Sequence, residues 1–401
     1  MKTPESSDVP HGTPWEVFRA FLKLGLTSFG GPVAHLGYFR DELVLRRKWI
    51  DEAGYADLVA LCQFLPGPAS SQVGFALGLL RGGPFGALAA FAAFTLPSAL
   101  LLILFALGAA SLTGPVGEGM IHGLKLVAVA IVAQAVWGMA RNLAPDRERA
   151  FIALVAVMIV VFAGGSFGQI GAILWGAFMG LWLCRAAPAA IDGHLRFRVP
   201  KAAGGVCLAL FCALFLLLPL MASTSQAMAL VDSFYRAGSL VFGGGHVVLP
   251  LLQAEVVPPG WIDGNAFLAG YGAAQAVPGP LFSFAAYLGF VAGPAPNGLA
   301  GAAIALAAIF LPGFLLLVGV LPFWDAFRTR PLAQAAMRGT NAAVVGILGA
   351  ALYSPVWTSA VLSPADFAVA LAGFLALTVW KAPPWAVVLG VTLAATGLAL
   401  L

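Results

Sequence analysis

The sequence predicts an all-α polytopic membrane protein, an inverted repeat with re-entrant helical hairpins broken at Phe-Gly-Gly-Pro and Pro-Gly-Pro motifs. Three observations carry that expectation. The 401 residues are 61% hydrophobic and 9% charged, with a mean hydropathy of +0.94, where a water-soluble domain holds about 25% charge. The chain matches itself when slid by about 213 positions. Glycine- and proline-rich breaks fall inside apolar segments at corresponding places in both copies.

A membrane helix needs about 20 apolar residues, so the length gives room for about a dozen segments and for no soluble domain beside them. The least apolar stretches, 39–51 and 185–201, are too short to build a core. In chain order, residues 1–14 lack the basic-then-apolar layout of a cleaved leader and read as a short disordered tail. Segments at 15–36 and 54–80 carry helix-breaking centres, Phe29-Gly30-Gly31-Pro32 and Leu65-Pro66-Gly67-Pro68, since proline removes a donor and glycine loosens the backbone. Apolar runs at 86–109, 120–141, 150–165 and 168–184 complete a first repeat, 15–185. A linker, 186–229, holds an extra apolar run at 203–222. The second repeat, 230–401, opens on Phe242-Gly243-Gly244-Gly245 and Val277-Pro278-Gly279-Pro280 and continues with runs at 298–320, 335–353, 365–380 and 384–401. Pro97 and Pro312 are expected to kink equivalent helices.

The repeat rests on blocks found in one order. At an offset of 213, Lys23-Leu-Gly25 meets Arg236-Ala-Gly238 and Phe29-Gly30-Gly31 meets Phe242-Gly243-Gly244. At 212, Trp49-Ile50-Asp51 meets Trp261-Ile262-Asp263, and Gln63-x-x-Pro66-Gly67-Pro68 meets Gln275-x-x-Pro278-Gly279-Pro280. Gly123 echoes Gly339 further on. The unpaired run at 203–222 supplies the odd crossing that inverts the second copy. Loop Lys and Arg mark the cytoplasmic side. If the first two broken segments cross as kinked helices, Arg40, Arg46, Arg47 and Lys48 face away from Arg141, Arg147, Arg149, Arg185, Arg196, Arg198, Lys201, Arg328, Arg330 and Lys381. If they return as hairpins, all of these and Arg81 share one side. Loop charge therefore favours hairpins, a cytoplasmic N-terminus and an external C-terminus in a plasma-membrane protein.

Non-helical backbone at membrane depth is tolerated where protein buries it or where it lines an aqueous cavity, and breaks at matching positions of two halves point to a binding site. A broken helix offers free N–H groups and a positive dipole end, which suit an anion. Ser70 and Ser71 after Pro68, and Ser283 after Pro280, put hydroxyls in the first turns; Gln63 and Gln275 precede the prolines and add amides. Lys23 and Arg236 stand six residues before their Phe-Gly-Gly breaks and are expected to attract the anion, since a cation buried there costs on the order of 3 kcal/mol. His35 and His246 flank the breaks without aligning; His122 and Lys125 read as helix anchors. Carboxylates that could carry coupling protons are scarce: Asp57, Glu118 and Asp232 lie near segment ends. Cys62, Cys184, Cys207 and Cys212 lack metal or redox spacing and read as packing residues.

No zinc-protease, nucleophile-elbow or phosphate-loop motif and no acidic metal cluster is present, so an enzyme is not expected, nor a cofactor or a metal site. The excess of 21 basic over 17 acidic residues reports membrane topology and not a nucleic-acid partner.

The stretch Phe21-Leu-Lys-Leu-Gly-Leu-Thr-Ser-Phe-Gly-Gly-Pro-Val-Ala-His35, followed by Gln63-Phe-Leu-Pro-Gly-Pro68, Phe242-Gly-Gly-Gly-His246 and Gln275-Ala-Val-Pro-Gly-Pro280, closely resembles the chromate ion transporter (CHR) family in its long two-domain form. The resemblance covers nearly the whole chain. It implies export of chromate from the cytoplasm, giving resistance, by two homologous halves of opposite orientation. A transporter or exchanger of sulfate or a related tetrahedral oxyanion is the alternative, because both ions are dianions of similar size. The expected partners are that dianion, the lipid bilayer and a second copy in a homodimer.

Overall fold

The computed structural model describes residues 12–109, 114–185, 197, 199–327 and 330–400. Most of the N-terminal tail, and the topology markers Arg196, Arg198 and Arg328, lie outside the described residues. Among those described, every regular element is helical, and six helices are long and apolar enough to cross a membrane. The chain is an all-α multi-pass membrane protein.

The first half begins with α1 (Pro14–Thr27), whose cap Thr13 accepts from Glu16 N–H, and α2 (Gly31–Phe39). A π-helical stretch, Arg40–Arg46, leads to α3 (Glu52–Phe64), capped by Asp51. The long α4 (Ala69–Ala109) has non-helical backbone at Gly82 and Gly83, so its first part pairs with α3 and its second part is a span. Then come α5 (Gly114–Leu143), α6 (Arg147–Ala163) and α7 (Gly165–Leu183). The extra helix, α8 (Lys201–Met221), exposes most of its apolar surface, as a lipid-facing helix does. Cys212 lies exposed on it, so the packing role expected for the cysteines holds for buried Cys62 and Cys184 and not for this one.

The second half runs through α9 (Gln226–Ser239), α10 (Val248–Val256), α11 (Gly264–Ala274), α12 (Phe284–Val291), α13 (Gly298–Val320), the four-residue α14 (Trp324–Phe327), α15 (Pro331–Ala351), the three-residue α16 (Thr358–Ala360), α17 (Pro364–Thr378) and α18 (Pro384–Ala399).

All four broken segments double back. Phe39 at the end of α2 returns to Phe21 in α1, with ring centroids 5.5 Å apart. The start of α3 and the bend in α4 meet where Arg81 lies over the Trp49 ring at 5.6 Å. Glu255 at the end of α10 comes back to Arg236 in α9. Gly293 N–H, beyond α12, donates to Trp261 O, ahead of α11, at 2.8 Å. A kinked span would instead leave its two ends on opposite sides. Glycine and proline at the centres free the chain to reverse, and the aromatic and ionic contacts hold the arms together.

α13 serves as a ruler, about 35 Å long at 23 residues. Gly301 near its start packs against Gly289 of α12; Gly313 meets Gly67 and Pro68 at the centre; just beyond its end, Trp324 Nε1–H donates to Asp57 of α3 at 2.9 Å. The α3/α4 hairpin and the α11/α12 hairpin thus approach the same middle level from opposite ends.

The halves interlock through contacts that recur with roles exchanged. Gly67 N–H donates to Val241 O at 2.8 Å, and Gly279 N–H donates to Ser28 O at 2.9 Å. Residues 67 and 279, and 28 and 241, correspond by the sequence offset, so one contact is made twice with the halves swapped. The late helices behave alike: α18 lies on α5 and α7 on α15. A Cβ added at Gly123 would stand 2.7 Å from Thr392 Cα, and one at Gly176 would stand 3.1 Å from the Gly339 carbonyl carbon. Small residues let these helices approach closely.

Candidate anion site

Where the hairpin tips meet, a cavity of about 320 Å³ opens, lined by residues of both halves. Gly30 and Gly31 come from the first tip; His246, Ala274, Gln275, Val277, Gly279 and Leu281 come from the second half; α5 contributes Ile131 and Gln134, and the α17–α18 turn contributes Leu377, Lys381, Ala382 and Pro384. Gly30, Gly31 and Gly279 have φ of +99°, +77° and +101°, a region where a side chain is strained. A Cβ at Gly279 would also stand 2.9 Å from Ser98 Oγ, next to Pro97, so the tip seats against the second part of α4.

Several helices begin at this cavity. Gly30 and Gly31 start α2, Pro384 starts α18, and the short turns Gly245–Val247 and Leu281–Ser283 lead into α10 and α12. Each helix start carries roughly half a positive charge and unpaired N–H groups. His246 Nδ1 shares a hydrogen bond with the Tyr271 hydroxyl at 2.8 Å, which fixes the ring. Gln275 lines the cavity with its buried side-chain amide beside the Tyr271 hydroxyl.

Of the residues singled out in the sequence, the structure gathers Gly30, Gly31, His246, Gln275 and Gly279 around the cavity. Others support the tips from behind. Ser283 Oγ–H donates to Pro280 O at 2.6 Å, and Gln72 Nε2–H braces the first Pro-Gly-Pro tip through Pro66 O at 3.1 Å and Gly313 O at 2.9 Å. His35 is buried beside Ser70, 3.4 Å from Nδ1 to Oγ, with Phe94 edge-on to its ring. Ser71 Oγ is buried without a partner, and Gln63 is exposed. Phe29, Pro66, Gly67, Pro68, Phe242, Gly243, Gly244, Pro278 and Pro280 build the tips without lining the cavity.

Lys23 and Arg236 do not reach the cavity, and neither is a free cation. Lys23 Nζ lies 3.1 Å from Glu42 Oε2, and Arg236 pairs with Asp232 and stands 4.0 Å from Glu255 Oε2. Glu42 and Glu255 are themselves related by the offset of 213, so the same ion pair ties the arms of one hairpin in each half. Burial pushes the Glu42 carboxyl up, but hydrogen bonds from Arg47 and Lys23 and the nearby charges of Lys23 and Arg46 outweigh it and leave it below its ordinary value. Where an attracting cation is expected at Lys23 and Arg236, the structure places each against a carboxylate. The repeat offset that pairs Lys23 with Arg236 also pairs Glu42 with Glu255, so the partner carboxylates are legible in the sequence.

Lys125 and His122 are likewise engaged, away from the cavity. Lys125 Nζ–H donates to Asn265 Oδ1 at 3.0 Å and Ser359 O at 2.9 Å, while His122 Nε2 lies 2.7 Å from Asp366 Oδ1. Gln134 and Lys381 were not expected as lining residues. Gln134 carries no break or repeat signal, and Lys381 reads in the sequence as one more loop cation.

Comparison with known proteins gives one consistent picture. The family model described as Chromate transporter matches residues 15–181 and again 228–398. The chain is 28% identical over 397 residues to the chromate transport protein of Pseudomonas aeruginosa, covering 94% of this chain and 90% of that one. It is 27% identical over 372 residues to the chromate transport protein of Cupriavidus metallidurans, 88% and 87% of the two chains. An uncharacterized transporter of Methanocaldococcus jannaschii is 26% identical over 338 residues, 83% and 82%. No solved structure matches.

Proposed function

This chain belongs to the chromate transporter family, and from that premise we propose that it exports chromate from the cytoplasm and so gives chromate resistance, with the anion held in the cavity between the hairpin tips. The observation that carries the proposal is the convergence of helix starts and glycine tips from both halves on one cavity. Partial charges fixed in the backbone replace the hydration shell of an oxyanion at little reorganisation cost. Their donors recognise tetrahedral geometry and double charge, so sulfate is a competing or alternative substrate.

Direction follows from electrostatics. A dianion leaving a cell with a negative interior gains about 4.6 kcal/mol per 100 mV, so export needs no coupling ion. In this proposal two repeats, 15–185 and 230–401, lie in opposite orientation about an axis in the membrane plane, the N-terminus is cytoplasmic and the C-terminus external. The exchanged tip contacts and the opposed approach of the hairpins along α13 support that orientation. A homodimer is proposed as the assembly.

Everted membrane vesicles with an inside-positive potential should accumulate chromate without a proton gradient, and sulfate should compete. Vesicles that take up neither anion would overturn the substrate; uptake that requires a pH gradient or opposing sulfate would replace potential-driven export with coupled exchange.

A further inference from the structure

Lys381 occupies a backbone position suited to glycine. Its φ is +52°, while the equivalent turn of the first half, 216 residues earlier, has Gly165 at +55° after Gly164 at +66°. The same left-handed turn is built twice, once with the residue that adopts it freely and once with a lysine. Lys48 and Gly260, at +53° and +75°, show the same exchange. Lys48, however, sits at a hairpin base next to Arg47, where positive charge marks a membrane face. Lys381 lines the cavity.

The depth of that turn also sets Lys381 apart. α17 and α18 have 15 and 16 residues, about 23 Å each, short of the roughly 30 Å hydrocarbon core. Their far ends are pinned to the beginning of α5, where His122 meets Asp366 at 2.7 Å and a Cβ at Gly119 would stand 2.9 Å from Thr396 Cα. Their turn reaches the level of Gln134, which shares the cavity, while α5 runs on to Leu143, about 13 Å further. Lys381 therefore stands beside the hairpin tips, exposed where it lines the cavity. Among the described residues no carboxylate pairs with it, whereas both Lys23 and Arg236 have theirs.

We infer that Lys381 is the cation that holds the translocated dianion, with Gln134, His246 and Gln275 bonding its oxygens. This rests on the cavity being the transport site. Lys381 is exposed where it lines the cavity, so its ammonium is available to an entering anion, and its side chain favours loading.

Glycine relieves the backbone at both lysines, so substitution separates charge from folding. Full-length wild type, Lys381→Gly, Lys381→Arg and Lys48→Gly are compared for thermal stabilisation in detergent by chromate and by sulfate, with chloride as control, and for KM in vesicles. Lys381→Gly should fold at least as well as wild type yet lose the dianion stabilisation, with KM raised roughly ten- to a hundredfold, the scale of one charge-assisted hydrogen bond. Lys381→Arg should keep most of the effect, and Lys48→Gly all of it. A full dianion response in Lys381→Gly would overturn the role of Lys381 alone. No dianion response in the wild type would overturn the transport reading beneath it.

Discussion

Lys23 and Arg236 differ in what their loss leaves behind. Without Lys23, Glu42 keeps Arg46 and Arg47. Without Arg236, the largely buried carboxylates of Asp232 and Glu255 face each other, and Ser166 is left as the donor to Glu255. Removing one partner of a buried pair strands a charge at a cost of roughly 3 kcal/mol, whereas a surface pair is worth about 1 kcal/mol or less. Arg236→Ala should therefore lower thermal stability clearly, Lys23→Ala hardly at all, and Asp232→Asn should partly rescue the former. Equal losses in both single variants would mean that Arg46 and Arg47 do not hold Glu42 once Lys23 is gone. Tip glycines carry a different constraint, since Gly67 and Gly279 combine φ of +119° and +101° with neighbours across the repeat boundary.

At the scale of elements, the two interlocks α5 with α18 and α7 with α15 depend on backbone closeness. A side chain at Gly123 or Gly339 would drive into the opposing helix backbone, Thr392 in one case and Gly180 in the other. Overpacking of this kind costs about 1–3 kcal/mol or more. Gly123→Leu and Gly339→Leu are expected to lose the monodisperse folded peak on size-exclusion chromatography, while Gly390→Leu, which faces open space, should keep it. A normal profile for Gly339→Leu would show that α7 and α15 need no close contact. The apolar runs made most of these helices legible in the sequence, because about twenty apolar residues have one stable form in lipid. The length of α17 and α18 was less legible: their runs read as spans at 365–380 and 384–401, and only their packing on α5 shows how deep the intervening turn lies.

For the molecule as a whole, the last helices of each half cover the other half, so neither half buries its own faces alone. Residues 1–200 expressed by themselves should be degraded or aggregate, and co-expression with residues 201–401 should restore a folded complex that retains the uptake activity. A first half that is stable alone would show that the interlock is dispensable. The site follows the same logic, because its lining comes from α2, α5, the second-half tips and the α17–α18 turn, with no single stretch of chain sufficient to form it.

The membrane class, the two copies and the four reversal points were fixed by composition, offset and breaks, since hydrophobic length and the special backbone of glycine and proline act locally. Which charged groups are free was decided by tertiary structure. Lys23 and Arg236 read in the sequence as poised for an anion and stand against carboxylates in the structure, while Lys381 reads as a loop marker and lines the cavity. The repeat offset matches Glu42 with Glu255, but charge pairing depends on partners brought together by folding, and only the returning arm of each hairpin sets that carboxylate against its cation.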